Sequence, residues 1–540
     1  MSIFNRDENY RISKILEKKM EPKPNLLFIM TDQQRWDALG CHSNGEVITP
    51  TLDKLAATGA DLQNYFTNAP VCVPSRCSLF TGRYPHSHRC RENYNLLDPG
   101  REFHLFRILK QAGYRLGYCG KNHLLNKQET VNFEMFDDTP TPEEEEVMNR
   151  YRRFREEANL PAGTSEASWR GGWVYDGPRE GNRTWRTAQR AIEFIESRNH
   201  TEPFALCVSF ADPHVPHIAL REYFEMYSPQ DIEPPPFAGD AELDSKATRW
   251  RIKHHAMNAQ NADLAAKQRY IAIYRAMVTW VDHQIRRILD TLEARDLREN
   301  TLIVFTSDHG DFNFEHGIPK KDLVLVDSLL HVPCILNLPG TIPAGIKPSA
   351  FCEEVDLMPT ILDLLGIPSP LSVQGRSFTS LFRDPEHSHK RAVFAEVCPP
   401  YFFCKYRNYD EFAAENGGPG RTPFNVPGDF TKAIRTRRWR YIWYSNGEEE
   451  LYDHETDPHE LKNLAADPDF ATIRDQLKME LLEWNALTED PLDHNLLQTL
   501  QQQYSDWEPC PVIPGVQGRA PVELFDLPHP HPAHPGHRPD

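Results

Sequence analysis

Apolar residues in this chain come in short unbroken runs that stop abruptly at polar groups. Asn25-Leu26-Leu27-Phe28-Ile29-Met30-Thr31 closes on Asp32-Gln33-Gln34. Phe204–Phe210 closes on Ala211-Asp212-Pro213-His214, and Thr301–Thr306 on Ser307-Asp308-His309-Gly310. A shorter run, Tyr114–Cys119, closes on Gly120-Lys121-Asn122-His123. Such runs suit strands buried on both faces, as in a parallel sheet. Between them the period becomes helical. Residues 50–58 predict a helix with Thr49 as N-cap, Pro50 at its first position and Gly59 as its stop. Residues 103–112, 184–198 and 263–294 predict three more, the last carrying Ile273, Met277, Trp280, Val281, Ile288 and Leu292 near helical spacing. A strand at 332–337 and a helix at 357–365 follow. Strands and helices alternating from 25 to about 365 predict an α/β sheet with helices on both faces.

The pattern then shifts. Residues 392–452 hold shorter, aromatic-rich strand candidates such as Trp439–Tyr444. They predict a smaller C-terminal α+β domain over 387–490, behind a main domain over 25–386. Residues 1–24 read as a charged arm and 137–183 as a Pro-, Glu- and Arg-rich insertion over one end of the sheet. Residues 491–540 read as a Pro- and His-rich tail, poorly ordered beyond 509. The runs Glu143–Glu146 and Glu448–Glu450 read as solvated faces.

Composition narrows the classes. The 540 residues are 39% hydrophobic and 26% charged, as in a soluble globular protein, and the length allows more than one domain. A formal net charge of −18 argues against nucleic acid or an anionic membrane as the main partner. No apolar run reaches transmembrane length, and the first 25 residues hold none of signal-peptide length. The expectation is a cytoplasmic protein with reduced thiols. Its eleven cysteines show no paired zinc spacing, and the sequons at Asn182 and Asn199 are chance matches.

The candidate chemistry gathers around Asn68–Arg83, read as a loop entering a helix. Pro74 suits its first helical position and Gly82 its stop. Cys72 then lies where helix-start amides favour negative charge. Each group alone has an ordinary reading: a half-buried cysteine, a turn-capping Asp32, an exposed His214, a turn at Asp308-His309-Gly310. Four strands ending in such groups at one edge of a sheet, beside Cys72, make a site. Two carboxylates, an amide oxygen and a histidine can hold one divalent cation. Oxygen ligands suit Ca²⁺ or Mg²⁺, and the histidine moves the choice toward Mn²⁺. Arg76, Lys121 and one lysine of Lys320-Lys321 can bind an oxyanion, and His123 and His214 are candidates for general base and acid. A cation-lined metal site around a nucleophile is equipment for displacement at phosphorus or sulfur.

These residues resemble a known family. Cys72-Val73-Pro74-Ser75-Arg76 followed by Thr81-Gly82-Arg83 is similar to the signature of the type I, formylglycine-dependent sulfatases of the alkaline phosphatase superfamily. Asp32, Gly120-Lys121-Asn122-His123, Pro213-His214-Val215-Pro216 and Ser307-Asp308-His309-Gly310 follow in that family's order. Val355–Asp363 and Glu450–Pro458 match later family patterns. The resemblance covers roughly 25–485 and implies an alkaline-phosphatase-like mixed sheet flanked by helices, with a small C-terminal domain.

The resemblance also implies roles. Cys72 would be oxidised to formylglycine (3-oxoalanine) by a separate formylglycine-generating enzyme and would attack sulfur as the hydrated diol. Asp32, Gln33, Asp308, His309 and residue 72 would hold one divalent metal, Ca²⁺ before Mn²⁺. Arg76 would hold the diol and metal region, and Lys121 with Lys321 or Lys320 the sulfate oxygens. His214 would serve the leaving oxygen, and His123 would take the proton that releases sulfate. Gln33 and His309 stand where many sulfatases have Asp and Asn. They resemble the branch of phosphonate monoester hydrolases and promiscuous arylsulfatases, as does Asn93, placed to contact an oxyanion. The expected activity is hydrolysis of a small sulfate ester. A phosphonate monoester or phosphodiester hydrolase and a catalytically inactive member are the alternatives. Trp169, Trp173, Tyr175, Tyr401, Phe402 and Phe403 suggest an aromatic or sugar-ring substrate. The arm and tail suggest a homo-oligomer.

Overall fold

The computed structural model describes residues 23–91, 93, 96–157, 170–198, 201–321, 324–397, 430–490, 492 and 494–503. Seven strands form one sheet: β1 (Asn25–Asp32), β2 (Ala60–Asp61), β3 (Arg115–Gly120), β4 (Met135–Asp137), β5 (Phe204–Pro213), β6 (Thr301–Ser307) and β7 (Cys334–Asn337). Their order is β2-β7-β6-β1-β5-β3-β4. The five strands from β6 to β4 run parallel, and β7 is antiparallel to both its neighbours. The sheet is therefore mixed, as the resemblance implies.

The helices used below are α1 (Pro50–Ala57), α2 (Cys72–Thr81), α3 (Leu105–Gln111), α4 (Pro142–Glu157), α5 (Arg183–Glu196), α6 (Leu264–Ala294), α7 (Leu357–Leu364), α8 (Ala471–Leu487) and α9 (His494–Gln503). All eight residues of β1 are buried, and alternation along it explains why the run is unbroken. Leu26, Phe28 and Met30 join a core with Val73 and Phe80 of α2, Phe106 of α3 and Ile361 of α7. Leu27 and Ile29 join the opposite core with Leu52 of α1, Ile195 of α5 and Ile285 of α6.

A second, antiparallel sheet contains β8 (Val393–Val397), β9 (Thr431–Arg435), β10 (Trp439–Tyr444) and β11 (Glu449–Asp453) in sequence order. One face packs Ala433, Ile442 and Tyr452 against Trp250 and Leu329 of the main body. The other packs Ile434, Tyr441 and Leu451 under Leu477, Leu481 and Trp484 of α8.

The structure revises several local expectations. Helix α2 begins at Cys72, so Pro74 is its third residue rather than its first. All the first-turn N–H groups lack an intrahelical partner, and a proline fits anywhere in that turn. Thr49 stands at the α1 N-cap, but its hydroxyl donates to Asp53 Oδ1 (3.0 Å), accepts from Gly40 N (2.7 Å) and caps no amide of the helix. The 137–183 segment contains α4, started by a capping box: Thr141 Oγ1 accepts from Glu144 N, and Glu144 Oε2 accepts from Thr141 N. The glutamate runs are not wholly solvated. Glu144 is buried and pairs with Arg186, and Glu450 is buried where it accepts from Ala247 N and Trp250 Nε1. The first part of the tail is ordered as α9, whose Leu500 is buried in the α2-side core. The arm up to residue 22, the sequon Asn199, Trp169, Tyr401, Phe402, Phe403 and the tail beyond 503 lie outside the described residues.

Candidate active site

The strands β6, β1, β5 and β3 are consecutive and parallel, so their C-terminal ends share one edge of the sheet. Thr31 lies opposite Ser307, Asp32 opposite Pro213 and Gly120 opposite Ser209. All four polar clusters foreseen at strand ends meet there, where ligands bind in open α/β sheets. Gly120 has a positive φ of 94°, and a Cβ on it would overlap the Ser209 carbonyl. That close approach lets Lys121 N donate to Ser209 O (2.9 Å) and fixes where the Lys121 side chain starts.

Residue 72 is the hub of this edge. It is the first residue of α2 and is 1% exposed. Its Sγ lies 2.8 Å from Lys321 Nζ, 3.3 Å from His309 Nε2, 3.6 Å from Lys121 Nζ and 3.8 Å from Asp32 Oδ1. His123 and His214 are also within hydrogen-bonding reach of the thiol. Burial opposes ionisation of this thiol. Lys121, Lys321 and His309 outweigh it and hold the group well below the usual thiol range.

One turn along α2, the buried guanidinium of Arg76 ties the strand ends together. It donates to Asp308 Oδ2 (3.0 Å) through Nε and to Asp32 Oδ2 (2.9 Å) through Nη2. Its Nη1 donates to Lys121 O (2.9 Å) and Ser209 Oγ (2.8 Å). The fork of donors holds three strand ends in one geometry, as a point charge does not. Ser75 adds a second tie from the same turn, since its Oγ lies 2.7 Å from Asp308 O and 2.6 Å from Glu354 Oε1.

The ligand atoms of Asp32, Cys72, Asp308 and His309 all lie within 4.8 Å of one another. His309 Nδ1 is engaged with Gly310 O (3.0 Å), which turns Nε2 inward. Gln33 adopts a positive φ of 72°, and its backbone N–H donates to Asp308 Oδ1 (3.0 Å). Its Nε2 donates to Asp311, while its Oε1 is buried with no hydrogen-bond partner. A buried amide oxygen without a donor is costly unless something positive meets it. With two carboxylates and an inward imidazole nitrogen, the donor set fits one hard or borderline divalent cation. Helix α6 braces this loop: Tyr274 Oη donates to Gln33 O (2.8 Å), and Tyr270 Oη to Asp311.

The electrostatics divide the two carboxylates. Burial and the neighbouring Cys72 push Asp32 up, but Lys121, His214 and Lys321 together hold it well below the ordinary value. Asp308 is pushed up to about 6 by burial first and by the charge of Asp32 second. Burial, with Lys121 beside them, drops His123 to about 4 and His214 to about 3. Lys121 Nζ also sits 2.6 Å from Asp32 Oδ2.

The remaining candidates separate. Lys321 reaches residue 72 with its Nζ. Lys320 has a positive φ of 67°, and its backbone N–H donates to Tyr270 Oη (3.1 Å). Asn93 Oδ1 accepts from Val73 N (3.0 Å), beside residue 72 at the start of α2. Trp173 lies near the His214 loop, its backbone N–H donating to His217 O (2.9 Å). Sequence reasoning missed Ser209, Asp311 and Glu354. Ser209 sits inside a strand run, and the other two touch the site only through the long-range contacts above.

The chain resembles known proteins along most of its length. The family model described as Sulfatase matches residues 24–367. A second model, described as the C-terminal part of N-sulphoglucosamine sulphohydrolase, matches residues 425–486. The chain is 28% identical over 485 residues to an arylsulfatase of Clostridium perfringens, covering 85% of this chain and 94% of the relative. It is 28% identical over 484 residues to an ulvan-active sulfatase of Formosa agariphila, covering 87% and 82%. The crystal structure of a phosphonate monoester hydrolase of Agrobacterium radiobacter superposes with a TM-score of 0.69 at 25% identity, covering 86% of this chain and 96% of that one.

Proposed function

The chain belongs to the sulfatase family, and on that premise we propose that it cleaves a sulfate monoester by attack of residue 72, as hydrated formylglycine, on sulfur. The observation that carries the reading is the setting of Cys72. Its Sγ, standing where the oxygens of that residue would lie, is ringed by Lys121, Lys321, His309 and Asp32. A thiol with no further role gains nothing from such surroundings.

Asp32, Gln33, Asp308, His309 and residue 72 would hold one divalent cation, Ca²⁺ before Mn²⁺ on the oxygen-rich donor set. When bound, it would supply concentrated positive charge beside the nucleophile. Formylglycine would supply a geminal diol, so the sulfate ester it forms can collapse without water attacking sulfur.

The other residues follow from their positions. Lys121 and Lys321 flank residue 72 and would bind the sulfate oxygens, lowering repulsion between substrate and nucleophile. Arg76 keeps Asp32, Asp308 and Lys121 in register with them. His214 would protonate the leaving oxygen. A sulfate ester brings negative charge into the cavity and shifts that imidazole toward its donating form. His123, held as a neutral base by burial and Lys121, would take the proton from the remaining hydroxyl. Asn93 would contact the substrate oxyanion. The modifying enzyme and a small-molecule sulfate ester are the partners this reading requires.

A second reading, a phosphonate monoester or phosphodiester hydrolase, is favoured by the match to the Agrobacterium radiobacter structure. Comparing kcat/KM on matched aryl sulfates and aryl phosphonates, with formylglycine-containing protein, separates the two. Higher efficiency on the sulfate is expected, and a clear preference for the phosphonate overturns the order. Chelation followed by dialysis should abolish turnover, and added Ca²⁺ or Mn²⁺ should restore it.

A further inference from the structure

We propose that Arg183 is a positioning residue that aims His214 at the leaving oxygen. The inference rests on the reading of His214 as the general acid. Arg183 is the first residue of α5, and the Asn182 N-cap side chain accepts from Thr184 N (2.9 Å), so the helix start fixes where its side chain begins. Its guanidinium spans two points of the chain that carries the histidine. Nε donates to Asp212 Oδ1 (2.7 Å), at the end of β5, and Nη2 donates to His214 O (2.7 Å). Asp212 is itself buried and also accepts from Thr184 Oγ1. The clamp therefore runs from the head of one helix to the end of one strand.

The His214 imidazole is held from the other side. Its Nδ1 is 2.6 Å from Val215 O and acts as the donor there. This leaves Nε2 facing the site, 3.9 Å from Asp32 Oδ1. With Arg183 on its carbonyl and Val215 on its ring, the residue has little freedom to swing. Arg183 is 31% exposed, so filling a core does not explain it. A planar donor fork bridging a carboxylate and a carbonyl matches the Arg183 geometry, and lysine does not reproduce it.

A residue that acts through the acid must matter most where the acid matters most. A good leaving group needs little protonation, whereas a poor one depends on it. The experiment measures kcat/KM for wild type, Arg183→Gln, His214→Ala and the double variant on a series from 4-nitrophenyl sulfate to phenyl sulfate. Peptide mass spectrometry gives the formylglycine content of each preparation, and rates are normalised to it. We expect Arg183→Gln to lose on the order of 10- to 100-fold on phenyl sulfate and under about 3-fold on 4-nitrophenyl sulfate, within what general acid catalysis supplies. Its leaving-group dependence should steepen toward that of His214→Ala, and the double variant should lose nothing more than His214→Ala. A uniform loss along the series, or none, in Arg183→Gln overturns the positioning role while leaving the acid in place. An unchanged slope in His214→Ala overturns the general-acid reading itself. Should Arg183→Gln fail to fold, Asp212→Asn breaks the same clamp from its other side and is judged by the same slopes.

Discussion

Cys72 and Cys77 lie five residues apart on α2, and both are buried. The first-turn cysteine meets two lysines, three histidines and a carboxylate, and its thiol is driven well down. The second-turn cysteine faces the core around Phe80 and Phe106, beside Cys90, and burial first, then Cys90, push its thiol well up. Burial alone therefore says little about what a cysteine does. The difference lies in which end of the sheet each side chain meets. The first turn of α2 abuts the parallel strand ends, where chains turn back and leave charged groups behind. The second turn packs into the core beside β1, where Phe28, Phe80 and Phe106 gather and where Cys77 meets His88 and Cys90 as polar-edged neighbours in one cluster.

The largest effect that sharpens this contrast is at residue 72. Cys72→Ser should lose at least about 10⁴-fold in steady-state turnover, with the melting temperature and circular dichroism of the parent. Multiple turnover at the parental rate would erase the distinction between the two cysteines. Next comes the tie between them. Arg76→Lys keeps the charge but cannot reach Asp32, Asp308, Ser209 and the Lys121 carbonyl together. It should cost roughly 100-fold in kcat/KM, in line with the loss of a bidentate charged contact.

Gly120→Ala tests whether the strand end is shaped for the site. The new Cβ meets the Ser209 carbonyl at a positive φ. About 3 kcal/mol of stability should be lost in chemical denaturation, by overpacking and backbone strain together, and surviving activity should fall with the displacement of Lys121. The smallest effect belongs to the core cysteine. Cys77→Ala should lose about 1–2 kcal/mol from the cavity and keep kcat/KM within about 2-fold of the parent per mole of formylglycine. A catalytic defect there beyond the stability loss would break the contrast.

Much of this arrangement was legible in the sequence, and for a physical reason. Asp32, Lys121, His214 and Asp308 each follow an apolar run, and consecutive parallel strands must deliver their ends to one edge. The Cys72–Arg83 stretch then named the family. What stayed hidden depends on local backbone or distant contact. Lys320 and Lys321 are neighbours in sequence, and no local pattern tells which of them reaches residue 72, as the Lys321 Nζ does in the fold. The start of α2 was misplaced by two residues because proline suits any first-turn position. Helix α4 is marked by the capping box Thr141-x-x-Glu144, but the Pro-, Glu- and Arg-rich composition of 137–183 reads only as an insertion and its acidic run as a solvated face. Arg183, Asp311 and Glu354 act through partners far away in sequence, and no local pattern marks them.

The most direct test of the account is the chemical state of residue 72. Peptide mass spectrometry on protein made with a formylglycine-generating enzyme should find an aldehyde at this position and an intact thiol at Cys77. The turnover rate across preparations should scale with the aldehyde fraction. Full turnover by protein whose residue 72 is entirely unmodified cysteine would contradict the account.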